Sequence, residues 1–174
     1  MDPEELKEVV ESAHESGEKI IGLTMAIMAV LLAVATMLSH RSHTDEVLIE
    51  TQATDQWNYY QAKNIRSHMY EADSKMAALL GDKNAPLVAE FHASSISQKN
   101  DADEIQKKAR EYEGDVVKVG KRAGYYDAAE LFLEVAIVLS SISLLAGSRM
   151  YWKGSFVFVA AGVALIGWGL LLVK

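Results

Sequence analysis

Three carboxylates, Asp127, Glu130 and Glu134, stand at the start of an apolar run that continues to Gly147. Their spacing of three and four residues places them on one stripe of a helix. Because charge is costly in hydrocarbon, an ionisable residue in a membrane span indicates a functional role. In a ring of subunits the stripe would form rings of carboxylates that concentrate cations at a pore mouth. The stripe is therefore a possible ion pathway.

The same stripe has a second interpretation as a set of ion pairs or hydrated groups. The first two carboxylates would lie at headgroup depth, where they need no partner. Glu134 lies about one turn deeper, and we expect it to pair with His40, Arg41 or His43 or to extend toward water. We favour pairing or hydration over a cation path.

Two histidines, His40 and His43, lie three residues apart just after an earlier apolar run. Side chains with this spacing share a helix face, so they are candidate ligands for a divalent metal ion. The alternative, which we favour, is that they are polar residues at the membrane surface. The chain has no cysteine, which excludes disulfides and thiolate metal sites.

No catalytic motif accompanies these residues. The sequence contains no phosphate-binding loop, GxGxxG, HExxH or GxSxG. The net charge is −7 and no basic block occurs, so nucleic acid is not an expected partner. We therefore predict a protein that is not an enzyme, with no catalytic residue and no cofactor.

Three apolar runs are long enough to cross a membrane. We predict span 1 at 20–38, span 2 at 128–147 and span 3 at 155–173, with a basic turn at 148–154 that holds Arg149, Tyr151, Trp152 and Lys153. Residues 1–19 are acidic and helix-like, starting with an N-cap at Asp2. This composition argues against a signal peptide and for a retained span.

The charges of the short turn predict the orientation. Arg149 and Lys153 are not accompanied by an acid, which favours a cytoplasmic turn and a cytoplasmic N-terminus. The region between spans 1 and 2 would then be periplasmic, in a multi-pass protein of the bacterial inner membrane.

The region 39–127 reads as an antiparallel helical hairpin with its turn at 81–86. Between Val88 and Tyr126, alternating steps of three and four residues give an apolar seam typical of a coiled coil. Its main members are Val88, Phe91, Ile105, Tyr112, Val116, Val119 and Tyr126. On the preceding helix Met69, Ala72, Met76 and Leu79 follow the same step. The fold class is an all-α membrane protein with three transmembrane helices and a long hairpin stalk.

An aromatic block follows span 1. Trp57, Tyr59 and Tyr60 could form a ligand platform, but packing contacts of a thin helical bundle are the favoured interpretation. Nearby Lys63 or Arg66 is expected to pair with an acid on the second helix.

This block, Asp55-Gln56-Trp57-x-Tyr59-Tyr60-Gln61-Ala62-Lys63, together with YYDAAELFLEVAIVLSSISLL at span 2, resembles a bacterial three-span membrane-protein family catalogued as a domain of unknown function. The resemblance covers nearly the whole chain. It implies three spans and a helical insert, and it implies no activity and no catalytic residues.

These patterns lead to three functional hypotheses. The first is an oligomeric integral membrane protein with a structural or scaffolding role, in which the coiled-coil hairpin mediates self-assembly or partner binding. The second is a cation channel or transporter subunit with an acidic ring at the mouth of span 2. The third is a metal or small-ligand sensor that uses His40 and His43. Expected partners are the lipid bilayer, further copies of the chain and other membrane proteins.

Overall fold

The computed structural model describes residues 3–172 and, within them, the side chains of residues 17–81 and 83–172. The helices are α1 (Pro3–Leu79), α2 (Ala85–Ala146) and α3 (Arg149–Leu171), and a short 3-10 turn lies at Asp82–Asn84. No strand occurs in the described part of the chain. The predicted all-α fold class is confirmed.

Each helix contains a segment that is long and apolar enough to cross a membrane. Only α3 has the length of one span, since its 23 residues rise about 35 Å. The other two helices, of 77 and 62 residues, extend well beyond their apolar segments.

The described part of the N-terminal helix predicted for 1–19 is continuous with span 1 as part of α1. No proline lies between Pro3 and Pro86, so no residue inside α1 lacks the backbone N–H needed for its helical hydrogen bond. The predicted N-cap, Asp2, lies outside the described residues.

The chain reverses between α1 and α2 at Gly81, which has a φ of 96°. A glycine tolerates this left-handed conformation because it has no Cβ. The amide of Asn84 donates to the carbonyl of Gly81 at 3.0 Å, and its side-chain amide donates to the carbonyl of Leu80 at 3.3 Å. Pro86 falls in the first turn of α2, where its missing N–H leaves no bond unmade.

Contacts divide the chain into two compact units. The three-helix unit comprises the described residues up to His43 and from Val119 onward, and it contains all three predicted spans. The hairpin unit is Thr44–Lys118, which holds the end of α1, the turn and the first part of α2.

Small residues form the helix contacts of the three-helix unit. A Cβ added at Gly162 would lie 3.0 Å from Cγ of Leu133, and one added at Gly169 would lie 2.6 Å from Cε1 of Tyr126. Helices α2 and α3 therefore approach so closely that only hydrogen fits at these two positions. Close approach through small residues is typical of helices packed within a membrane.

The hairpin unit also packs through small side chains. Ser67 Oγ donates to the carbonyl of Ser95 at 3.0 Å, and Ser95 Oγ donates to the carbonyl of Ser67 at 2.9 Å. Ser74 Oγ donates to the carbonyl of Val88 at 3.2 Å. We call this side of both helices the inner line, and its most buried members are Ala53, Ser67, Ser74, Ala77, Ala102 and Ala109.

The larger side chains expected at this contact on α1 lie elsewhere. Met69, Met76 and Leu79 are 60%, 65% and 87% exposed, so the expectation that they pack inside the hairpin is wrong. Met69 and Met76 each lie two residues, about 200° of helix rotation, from a buried serine of the inner line. Side chains as long as methionine would hold the helices too far apart for the serine hydroxyls to reach the opposite backbone.

Candidate functional site

The acidic stripe of α2 packs against α1 within the three-helix unit. Ser39 Oγ donates to Oδ1 of Asp127 at 2.5 Å. His43 Nε2 lies 3.1 Å from Oδ2 and 3.3 Å from Oδ1 of the same carboxylate. Thr36 Oγ1 donates to Oε1 of Glu130 at 2.7 Å. Two of the three predicted ion-pathway residues therefore bind polar side chains spaced along one face of α1.

Asp127, which lies just before span 2, is held in its charged form. Burial alone would raise the pKa of its carboxyl. Hydrogen bonds from Ser39 and His43, together with the charges of His43 and His40, outweigh burial and lower the pKa below its ordinary value. Asp127 therefore acts as a charged acceptor that joins α2 to α1.

Glu134 differs from the other two carboxylates. It is exposed, and no hydrogen bond or ion pair to it occurs among the described residues. Of the two alternatives expected for Glu134, the exposed side chain fits extension toward water, and His43 contacts Asp127.

The predicted metal ligands do not lie in a complete metal site within one chain. Among the side chains that the structure describes, no group of three or more His, Cys, Asp or Glu is arranged to hold an ion. His43 contacts Asp127, and the charge of His40 also acts on that carboxylate. The metal assignment of His40 and His43 stays a prediction.

The aromatic block of α1 contacts α2 within the hairpin unit. Trp57 Nε1 donates to Oε1 of Glu113 at 2.9 Å, and the Trp57 ring meets Tyr60 edge-on at 5.5 Å between centroids. Lys63 Nζ donates to Oδ2 of Asp101 at 2.8 Å, which is the cross-helix ion pair expected for Lys63 or Arg66. Tyr59, by contrast, is 63% exposed. Trp57 and Lys63 thus hold the helix pair together, and Tyr60 packs against Trp57 on α1.

The predicted assembly seam of α2 lies on the side that faces α1. Its members alternate with the fully buried Ala102, Ala109 and Ala123. Among the predicted residues Tyr126 is buried, and the others are partly exposed: Val88, Phe91, Ile105, Tyr112, Val116 and Val119. Phe91 stacks on Tyr70 at 6.2 Å between centroids. Within one chain this seam is used for contact between α1 and α2.

Sequence reasoning missed the buried serines. Beyond the pairs of the hairpin unit, Ser140 Oγ donates to Ser155 Oγ at 3.0 Å between α2 and α3. Trp152 Nε1 donates to Oγ1 of Thr24 at 2.9 Å. The signal lay in the spacing, because Ser67 and Ser74 are seven residues apart, as are Ala102 and Ala109. A period of seven in small residues indicates a close helix contact as clearly as one in leucines.

A match to a known protein family covers most of the residues described above. The model of a family described as "Domain of unknown function (DUF4337)" matches residues 17–172, which include α1 from Gly17 onward, all of α2 and α3, and the Trp57 block. The chain belongs to this family. The DUF4337 match confirms the predicted resemblance to a family of unknown function. Comparisons with curated proteins and with solved structures gave no match.

Proposed function

We propose that this DUF4337 protein is an oligomeric integral membrane protein with a structural role, anchored by its three apolar helices and assembled through its hairpin unit. No arrangement of described side chains suggests a reaction, and the polar groups of the acidic stripe mostly hold α1 to α2.

One observation carries this proposal. The hairpin unit exposes large apolar side chains, including Val47, Leu48, Ile65, Met69, Met76, Leu79 and Leu80. Helices in proteins gain most of their stability from packing an apolar face, and large exposed apolar patches mark interaction sites. Because the inner line is already filled with alanine and serine, these side chains have no place inside the unit. A neighbouring protein surface would cover them.

The mass of the intact complex tests the proposal. The full chain is purified in detergent, and light scattering gives the protein mass after the detergent contribution is subtracted. We expect a mass of two or more times the 19.1 kDa of one chain, in whole multiples. A protein mass of 19.1 kDa across detergents and concentrations would refute self-assembly.

Orientation forms part of the same proposal. The charges at Arg149 and Lys153 support a cytoplasmic turn and a hairpin on the periplasmic side of a bacterial inner membrane. The chain has no cysteine, so an introduced cysteine is the only thiol that a maleimide can label. Thr54 is exposed in the hairpin unit, so Thr54→Cys should react with a membrane-impermeant maleimide added to intact spheroplasts. Lys153→Cys should react only after lysis, and the reverse result would invert the topology.

A cation channel is the second candidate, and Glu134 favours it. An exposed carboxylate in an apolar segment needs water or a neighbouring polar group, and a pore entrance formed between copies would supply both. The test is planar-bilayer recording of the wild type and of Glu134→Gln. A cation current lost in the variant supports conduction, whereas no current in the wild type refutes it.

A further inference from the structure

An open apolar groove lies along α2 of the hairpin unit, next to the Gly81 turn, with a volume of about 530 Å³. Four of its lining residues are alanines, Ala78, Ala85, Ala89 and Ala93. The last three recur every four residues, so they lie on one face of α2. A floor of alanine lets another helix approach closely.

The side chains that such a groove could receive project from the same unit. We define the outer stripe as the exposed face of α1 formed by Ile65, Met69, Ala72, Met76 and Leu79. These residues alternate by four and three, which is the spacing of coiled-coil knobs. Ala72, at the centre of the stripe, is small enough to permit close contact there.

The stripe and the groove occupy the same levels of the hairpin. The bonds of Ser67 with Ser95 and of Ser74 with Val88 fix which residues of the two helices lie side by side. Counting from these pairs, Met69 lies level with Ala93 and Met76 with Pro86. The stripe would therefore meet the groove along its length if two hairpins stood side by side and pointed the same way.

The stripe and the groove lie on different helices and face different directions. The stripe is turned about 200° from the inner line of α1, since Met69 lies two residues from Ser67. The groove is turned by about 120° from the inner line of α2, as Ala89 lies six residues from Ser95. In a dimer that used both contacts, the four helices would form a square, and on each helix the inner line and the outer contact face would have to lie about 90° apart. The angles on α1 and α2 are larger than this, so two copies cannot bury the stripe and the groove of both chains.

We propose that the outer stripe of one copy lies in the groove of the next copy, in a head-to-tail contact that repeats around a closed ring of more than two copies. This inference rests on the proposed self-assembly and specifies its surface. In the ring each α1 would be antiparallel to two α2 helices, its own and the neighbour's. A contact between two different surfaces forms rings when its rotation closes.

Disulfide trapping tests this contact, and the absence of native cysteine makes every introduced pair unambiguous. Ala72→Cys combined with Ala89→Cys, in the full chain in detergent, is expected to give a ladder of covalent multimers on oxidation. The ladder should extend beyond the dimer in steps of 19.1 kDa. The two single variants should give no ladder.

The matched control moves one cysteine by a single residue. Glu90 is exposed and lies next to Ala89, but it projects about 100° further around α2, away from the groove. Ala72→Cys with Glu90→Cys should therefore cross-link at least tenfold less. All three positions are exposed, so the variants are expected to fold as the wild type does.

The outcomes separate this inference from the proposed function. An oligomeric mass without a ladder, a ladder as strong in the Glu90 control, or a product that stops at the dimer would overturn the ring contact while leaving self-assembly intact. Cross-linking to a different protein would likewise assign the groove to another partner. A protein mass of 19.1 kDa would remove both proposals.

Discussion

In both the three-helix unit and the hairpin unit, small residues lie between the helices and many large apolar residues lie outside, but the two units contain very different shares of apolar sequence. Val30 is 64% exposed in the first unit and Met69 is 60% exposed in the second. Lipid would cover Val30 within an apolar segment of α1. The hairpin unit has no comparable apolar segment, and under the proposed self-assembly a neighbouring copy would cover Met69. The same packing rule therefore suits a membrane anchor in one region and an assembly surface in the other.

The strongest test places the same charge on both surfaces. Val30→Lys should cost about 2.5–3.5 kcal/mol of insertion free energy, because it sets an ammonium near the middle of span 1. Carbonate extraction should show less integrated protein. Met69→Lys should leave integration unchanged and lower the mass of the complex in detergent. Equal loss of integration in both variants would break the comparison.

Close packing in the three-helix unit can be tested with two neighbouring glycines. Gly169→Ala places a methyl group against the ring of Tyr126 and should lower the free energy of unfolding by about 1–3 kcal/mol. At Gly167 an added Cβ meets no atom within 4 Å, so Gly167→Ala should not destabilise. Denaturant titration in detergent measures both variants. Because alanine favours a helix over glycine, equal destabilisation of both variants would contradict close contact at Gly169 as the cause.

The link between Asp127 and α1 predicts a pH dependence. Ser39→Ala should cost about 0.5–1.5 kcal/mol at neutral pH, toward the lower end because the carboxylate is half exposed. The pKa of Asp127 is lowered in the folded protein, so its stabilisation is present above the ordinary Asp pKa. It is lost as the pH falls through the folded pKa.

The wild type and Ser39→Ala should therefore converge in stability at low pH, as followed by thermal unfolding at several pH values. Ser42→Ala, at a buried serine three residues away, is the control. Its difference from the wild type should not follow the titration of Asp127. A constant offset for Ser39→Ala at every pH would show that the hydroxyl acts by packing alone.

The smallest effect is expected for the ion pair of the hairpin unit. Lys63 and Asp101 are 29% and 47% exposed, and a double-mutant cycle of Lys63→Met and Asp101→Asn should give a coupling below about 1 kcal/mol. The coupling should shrink in high salt. The Asp115–Lys118 pair, which lies within α2, serves as a reference that does not join the two helices. A coupling above about 2 kcal/mol would mean that the hairpin relies on charge more than on its inner line.

Sequence periodicity is enough to predict the architecture. It does not show which of two repeats on one helix faces the neighbouring helix. The apolar runs, the Gly81 turn and the α2 seam follow from composition and from a 3.5-residue repeat. On α1 two repeats run in parallel, one of serine and alanine and one of methionine and leucine. Hydrophobicity alone favours the second, which predicts Met69, Ala72, Met76 and Leu79 at the inner contact.

The acidic stripe shows the same limit at single residues. Asp127, Glu130 and Glu134 share one stripe by spacing, but only the first two contact α1. Their partners are Ser39, His43 and Thr36, of which only the histidine had been singled out. Serine and threonine are common in such helices, so the residue type alone does not identify Ser39 and Thr36 as partners of the carboxylates until the register between α1 and α2 is known.

Because the inner line recurs every seven residues, the hairpin can change length in steps of seven residues without changing the register of its helices. Ser67 and Ser74 on α1, and Ala102 and Ala109 on α2, repeat at the interval after which a helix pair presents the same face again. Removing seven residues from each arm would shorten the hairpin by about 10 Å and keep every remaining pair in register. Removing five from each arm would rotate the serines out of reach of the opposite backbone. Natural length variants of this hairpin should therefore differ in paired steps of seven.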